Sequence, residues 1–450
     1  MPHLEDSSSD PASVAPLRPE GAAARAGLLA LILFHLAVCC LSLVKVAEHE
    51  PYMLYDPRHL AYAIAICAAF ALVSVLFVVA RFSFGYFTGF YLYTMLMGFL
   101  WLSSFTKFHY DTRLAALSAA VSAILFLLPA LLINSPLKQV FSLSRRQFEW
   151  LLALILALTV ATIAGAALYN FRLVSLTHIY EFRDELQFPL IVRYLVGLVP
   201  SALLPFAFAS YLALRSYWKA AFALLLFPLF YPITLSKLMF FSPGWILGLA
   251  VLTWMFEARK IVVLSLFVPI FVGVGLMIGL GNDHALQYFN FVNIRMIATP
   301  SSAMDIYNDF FASHPHTWFC QISFAKALTG CPYQEPLAIV MQQTYRLGNL
   351  NASLFATEGV ASVGLYLAPL AAFACGLIIA IGNRLSSGLP ARFILVSSAL
   401  LPQILLNVPL TITMVTYGAG LLFLLWYMTP RSIFEPEYPT APAPRRSTWI

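Results

Sequence analysis

The chain has 450 residues, 61% of them hydrophobic and 10% charged, with a mean hydropathy of +0.82 and a formal net charge of +6. Soluble domains carry about 25% charged residues, so this composition excludes a soluble globular enzyme and marks an integral membrane protein. The apolar runs are continuous rather than alternating, which argues against a transmembrane β-barrel. The expected fold class is all-α and polytopic, with about 12 transmembrane helices of roughly 20 residues each.

Residues 1–24 hold Ser7-Ser8-Ser9 with Pro and Ala and no apolar stretch. They read as a disordered cytosolic tail, because Arg18 and Arg25 sit against the first span. A transmembrane unit, 25–429, follows. Its spans are expected at 26–44, 60–80, 86–104, 114–133, 150–168, 190–214, 217–235, 240–256, 261–280, 360–382, 391–408 and 410–428. The pair 217–235 and 240–256 breaks at Ser236-Lys237, as two spans or as a re-entrant pair. The last two spans are divided by Asn407-Val408-Pro409, a tight turn or a kink. One large loop, 281–359, interrupts the series, and a Pro-rich tail, 430–450, ends it.

With both tails inside, 15 of the 26 Lys and Arg and 8 of the 20 acids fall on the cytosolic side. The balance is +7 inside and −1 outside, as the positive-inside rule requires. The net charge is therefore a topology signal and gives no reason to expect nucleic acid as a partner. The same count places the large loop, and the shorter loop 169–189, outside the cytosol. No internal repeat of the kind found in secondary transporters is visible.

Three stretches bring ionisable groups to the outer face: Tyr180 to Arg193, Ser236-Lys237, and Asn293-Ile294-Arg295 through Glu358. A single Arg or Lys at a span end reads first as a snorkelling residue. Several converging cations, Arg183, Arg193, Lys237 and Arg295, suit an anionic headgroup. Arg offers a planar fork for phosphate oxygens and Lys a point charge. A lipid-linked pyrophosphate is the leading candidate.

Within the loop, Ser302-x-x-Asp305 has capping-box spacing, and Met304, Tyr307 and Phe311 follow at helical spacing. Residues 302–312 are expected to form an amphipathic helix at the membrane surface, with Phe310 and Phe311 as interfacial anchors. His314 and His316 have the wrong spacing for a metal site, and none is expected. His314 is read as a turn histidine, or as a substrate contact or proton shuttle. Cys320 and Cys331 lie eleven apart in an oxidising compartment, as a disulfide or as two buried thiols. Cys39, Cys40, Cys67 and Cys375 read as packing residues within spans. Glu358 reads as an acid favoured by a helix N-terminus, with a catalytic base as the sharper alternative.

Taken together, Tyr180 to Arg183, Ser236-Lys237, Arg295, Tyr307-x-Asp309-Phe310-Phe311 with His314-Pro315, Asn349 to Ser353 and Phe355 to Gly364 resemble the O-antigen polymerase family (Wzy-type oligosaccharide repeat unit polymerases). The resemblance covers about 180–385 in motif order. It implies a bacterial inner-membrane glycosyltransferase that joins repeat units carried on undecaprenyl pyrophosphate at the periplasmic face. Membrane lipids and a chain-length regulator protein are the further partners. Neither metal nor cofactor is implied, because the pyrophosphate is the leaving group.

The resemblance carries Arg183, Lys237 and Arg295 over as basic positions; Arg193 comes from the residue reading alone. Preorganised cations stabilise charge developing on a departing pyrophosphate, with Arg295 first and Arg183 next. A base near the acceptor hydroxyl comes from Glu181, Asp184, Glu185 or His314. Tyr180 and Tyr307 suit sugar stacking, and Asn349 joins them on the binding side. The alternatives are an O-antigen ligase, which shares the large outer loop, a polyprenyl-phosphate-sugar transferase, and a flippase or transporter. The transferase is disfavoured by the small first outer loop, 45–59, and the transporter by the scarcity of paired charges at mid-span.

Overall fold

The computed structural model describes residues 21–434, apart from 51, 177, 180, 181, 183, 184, 323–329 and 349. The expected tails at 1–24 and 430–450 lie almost wholly outside the described residues. Among the described residues, nine helices are long and apolar enough to cross a membrane. They are α1 (Ala22–His49), α2 (Pro57–Val79), α4 (Thr112–Leu132), α5 (Arg145–Ala167), α6 (Leu190–Ala213), α7 (Tyr217–Thr234), α8 (Lys237–Met255), α9 (Ala258–Gly279) and α13 (Phe355–Ser386). No strand occurs among the described residues, only an isolated bridge between Met53 and Thr106. The chain is an all-helical polytopic membrane protein.

Between α2 and α4 lies α3 (Phe84–Leu102), 19 residues long and buried along its whole length. Tyr86, Tyr91 and Tyr93 lower its hydropathy. A helix enclosed by protein on every side has no lipid-facing stripe, so aromatic and small residues surround it completely. Helices in lipid gain nothing from excluding water from one another and associate through close packing. Gly85-x-x-x-Gly89 supplies that packing against α4: a Cβ at Gly85 would lie 2.0 Å from the Ala130 carbonyl oxygen, and one at Gly89 2.8 Å from Leu127. The hydroxyls of Tyr91 and Tyr93 find partners inside the bundle. Tyr91 bonds Ser265 on α9 at 2.8 Å, and Tyr93 bonds Ser74 on α2 at 3.0 Å. Around this pillar pack α1, α2, α4, α9 and α13.

Two expectations require correction. The spans at 391–408 and 410–428 are not continuous helices. They resolve into short pieces at Ala391–Ser397, Leu401–Leu405, Leu410–Val415 and Ala419–Met428, numbered α14 to α17. Pro402, Pro409 and Gly418 (φ +77°) mark the breaks. The large loop, in turn, is not a detached excursion. It contains α10 (Asp283–Phe291), a π-wound turn at Ile294–Ala298, α11 (Thr299–Phe311) and α12 (Leu337–Tyr345), and part of it is sunk into the bundle. Asn293 donates to Ser42 on α1 at 3.0 Å and to the Ile270 carbonyl on α9 at 2.9 Å. Ser301 donates to the Met95 carbonyl, half-way along α3, at 2.9 Å. Irregular backbone at such depth is tolerated because protein, not lipid, surrounds it.

The helix α11 is therefore not a surface helix. Every residue in it except Thr299 and Asp309 is buried, Phe310 and Phe311 included, so these two rings are packing residues and not interfacial anchors. Nor does Ser302 cap it; α11 continues directly from the π-wound turn, and Ser302 instead accepts a hydrogen bond from Tyr52 at 3.2 Å.

Candidate functional site

The break before α8 sets the first cluster of charge. Leu235 adopts a left-handed conformation (φ 47°) that ends α7, and Ser236 in extended backbone starts α8. This places Lys237 at the mouth of α8, half-buried, with its Nζ 4.8 Å above the Phe291 ring. Arg295 lies one turn beyond Phe291, exposed, and its charge acts on that of Lys237. A cation over an aromatic face and a guanidinium one turn away form a positive edge. Of the four expected cations, these two are brought together. Arg193 is exposed on the first turn of α6, and its guanidinium has no partner among the described residues. Tyr180, Glu181, Arg183 and Asp184 lie outside the described residues, as does Asn349.

Described residues of the 169–189 loop pack beside this cluster. Ile179, Tyr231 and Leu235 form a small apolar core with Val174, Leu176, Phe182 and Leu186. Asn170 donates to the carbonyls of Pro232 and Ile233 at 3.1 and 2.9 Å, which satisfies backbone freed where α7 ends. Glu185 is ion-paired with Arg172 at 2.6 Å, an engagement that a free base would lack.

A second constellation is carboxylate-centred. Asp305 on α11 is fully enclosed and accepts hydrogen bonds from Thr106 (2.6 Å) and from the Tyr110 hydroxyl. Asp309, one turn on, accepts from the His109 backbone N–H at 2.8 Å and from the Tyr345 hydroxyl at 2.6 Å. The two acids thus tie α11 to the α3–α4 connection and to α12. Burial pushes the Asp305 carboxyl up to about 6, against the pull of its two hydroxyl donors, and neighbouring Asp309 adds to the rise. Burial likewise raises the Tyr110 hydroxyl, with the Asp305 charge next in importance.

The third constellation is the start of α13. Residues Phe355–Ala361 are π-wound, and the helix breaks at Gly364 (φ +75°, ψ 173°). The freed carbonyls of Ala361 and Ser362 accept the backbone N–H groups of Thr317 and Trp318 at 2.8 and 3.1 Å. Glu358 sits in this broken segment rather than at a simple helix N-terminus. Its Oε1 accepts from the Thr411 N–H (2.9 Å) and hydroxyl (2.8 Å), and its Oε2 from the Thr357 hydroxyl (2.6 Å). The two bonds from Thr411 fix the hairpin at Pro409 against α13.

Beside this junction opens a cavity of about 390 Å³, within the range usual for small-molecule sites. Its lining includes Tyr307, Thr357, Asn351, Pro409 and Ile412 together with Thr317, Gln321, Tyr333 and Glu335. Cys320 and Cys331 are joined by a disulfide, and both line the cavity. Tyr307 is the one expected substrate contact found here. Burial, then the charge of Glu358, holds its hydroxyl above the usual tyrosine range. Arg295, Lys237, Arg193 and His314 do not line the cavity. His314 is exposed, stacks on Phe310 with ring centroids 3.9 Å apart, and bonds the Phe310 carbonyl through Nδ1 at 2.8 Å, the arrangement of a turn histidine.

Sequence reasoning missed Glu335, Gln321 and Asn351 as cavity residues. No motif marks them, and only the fold brings them to one cavity. The Cys320/Cys331 spacing was the single available signal. No metal-holding cluster of His, Cys, Asp and Glu occurs among the described residues. Comparison with family models, curated proteins and solved structures finds no match to this chain.

Proposed function

We propose that the chain is an inner-membrane glycosyltransferase. It polymerises undecaprenyl-pyrophosphate-linked oligosaccharide repeat units into a surface polysaccharide at the periplasmic face. The observation that carries the reading is the approach of Lys237, at the start of α8, to Arg295, in the π-wound turn after α10. Two elements more than fifty residues apart in sequence bring a Lys and an Arg close enough for the charge of one to act on the other, and clustered cations of these two types suit phosphate oxygens.

In the reaction the acceptor hydroxyl attacks the anomeric carbon of the donor sugar. The new carbon–oxygen bond forms, the bond to pyrophosphate breaks, and the leaving group takes the electron pair. Arg295, with Arg183, Lys237 and Arg193 in support, stabilises that charge. The acceptor proton passes to a base, for which Glu181 and His314 are the assignments made from sequence.

Replacing Arg295 with Ala is expected to cut polymer formation about 100-fold or more with the protein present at its normal level. Wild-type polymer length in that variant overturns the assignment. Products separate the nearest alternative: a polymerase-deficient strain retains single capped repeats, whereas an O-antigen ligase-deficient strain accumulates carrier-linked chain.

A further inference from the structure

Lys237 gets its place above the Phe291 ring from the way α7 ends, and that ending is unfavourable by itself. The last carbonyls of any helix lack donors within the helix. Pro228 and Pro232 loosen the final turns of α7 further, since neither ring nitrogen can donate. Leu235 then takes a left-handed conformation (φ 47°, ψ 42°), which costs about 1–2 kcal/mol in a residue with a side chain. Ser236 returns to extended backbone, and α8 starts at Lys237. The direction in which Lys237 projects is therefore set two residues earlier, at Leu235.

The bonds that hold this ending come from residues 170–174. Asn170 is buried, and its backbone N–H donates to the Ala166 carbonyl at 3.1 Å, which fixes it to the C-terminal end of α5. Its side-chain amide turns to α7, where Nδ2 donates to the Pro232 carbonyl at 3.1 Å and to the Ile233 carbonyl at 2.9 Å. The Arg172 backbone N–H reaches the Pro232 carbonyl at 2.9 Å, and the Tyr231 hydroxyl donates back to the Val174 carbonyl at 2.5 Å. Leu235 is enclosed in the same small apolar core as Ile179 and Tyr231, and the Tyr231 ring packs on Phe240 of α8 with centroids 5.2 Å apart.

We infer that Asn170 is a positioning residue for Lys237. By tying the end of α5 to the last carbonyls of α7, it holds Leu235 in its left-handed turn and so keeps the Lys237 ammonium over the Phe291 ring, near Arg295. The inference rests on the reading of Lys237 and Arg295 as a phosphate site only for what Lys237 binds. The geometry calls for an amide, whose two N–H donors meet two successive carbonyls. A carboxylate of the same shape would set an acceptor against two acceptors, and a shorter side chain would leave both carbonyls unsatisfied or dependent on water.

The test reads Lys237 directly, by NMR of the full-length protein in lipid nanodiscs with its lysines dimethylated by isotopically labelled formaldehyde. Dimethylation keeps the positive charge, and methyl groups above an aromatic face are shifted upfield by its ring current. The Lys237 resonance is the one missing from Lys237→Arg, and Phe291→Leu marks where it falls without the ring. Asn170→Asp and Asn170→Ala are expected to move it to that unshifted position while the Lys45 and Lys260 resonances stay in place. Both are expected to weaken binding of inorganic pyrophosphate about threefold to tenfold. Tyr231→Phe removes one O–H, retains the ring, and is expected to move the resonance part of the way. An Asn170 variant with a lowered unfolding temperature and a wild-type Lys237 resonance makes Asn170 structural only and overturns the inference. If neither Asn170 variant folds, a wild-type resonance in Tyr231→Phe overturns it in their place. Wild-type protein that fails to bind pyrophosphate, with the Lys237 resonance moving as expected, removes the proposed function and leaves the positioning role standing.

Discussion

Asp305 carries no sequence signature beyond its spacing from Ser302, and that spacing pointed to a helix cap. The structure gives it a different task, accepting from Thr106 and Tyr110 inside the bundle. Its carboxyl titrates near 6 instead of the usual 3.8, so between those values the folded protein binds the proton more tightly than the unfolded chain. Its contribution to stability therefore grows as pH falls from about 6 to 4 and is lost as pH rises through 6. The shift corresponds to about 3 kcal/mol at most. Asp305→Asn is expected to flatten this dependence: the difference in unfolding temperature between pH 5 and pH 7.5 should shrink relative to the wild type. An unchanged difference would place the titrating group elsewhere. Arg295 and Lys237 were legible as cations at span ends because charge beside an apolar run stands out. Glu335 was not, because an acid in a polar segment looks like any solvated residue until the fold sets it in a cavity wall.

The elements most easily read from sequence were those whose apolar length matches the bilayer; the hardest were the broken ones. Helix α13 begins π-wound and turns at Gly364, whose positive φ is costly for any residue with a side chain. A Cβ there would also stand 2.8 Å from Nε2 of His316. Gly364→Ala is expected to destabilise the protein by about 1–3 kcal/mol, read as a lower unfolding temperature in detergent. Stability equal to the wild type would mean that the break is not needed. At the other close approach, a Cβ on Gly98 would lie 2.3 Å from Ser301 Oγ. Gly98→Leu should therefore push α11 off α3 and lower the yield of folded protein, whereas Gly165→Leu, where nothing lies within 4 Å, should be tolerated. A normal yield of the Gly98 variant would rule out that contact as a packing constraint. Hydrophobic spacing in 302–312 was compatible with a surface helix or a buried one. Periodicity reports one apolar face, and Ser301, Ser302, Asp305 and Asp309 of α11 are engaged by partners far away in sequence.

For the molecule as a whole, charge asymmetry makes the sharpest forecast. Reporter fusions after residue 140 are expected to be active only with cytosolic reporters, and fusions near residue 325 only with periplasmic ones. A cytosolic signal at 325 would reverse the orientation and remove the proposed function with it. The Cys320–Cys331 bridge closes a loop of sequence separation 11 against the cavity. Replacing both with Ser is expected to cost about 3 kcal/mol, seen as a lower unfolding temperature that reducing agent reproduces in the wild type. If reductant leaves the wild-type unfolding temperature unchanged, the bridge does not brace this wall.

What the amino-acid sequence by itself determined was which long segments are apolar enough to cross a bilayer. Apolar length, helical continuity and the bias of Lys and Arg are local quantities, and a bilayer acts on them segment by segment. What only the tertiary structure decided was which irregular pieces enter the bundle and what they face. The sinking of 293–311 beside α3, the break in α13 and the union of Gln321, Glu335 and Asn351 around one cavity all depend on hydrogen bonds between residues remote in the chain. Backbone at membrane depth must find partners wherever the fold supplies them, and no local pattern records where those partners are.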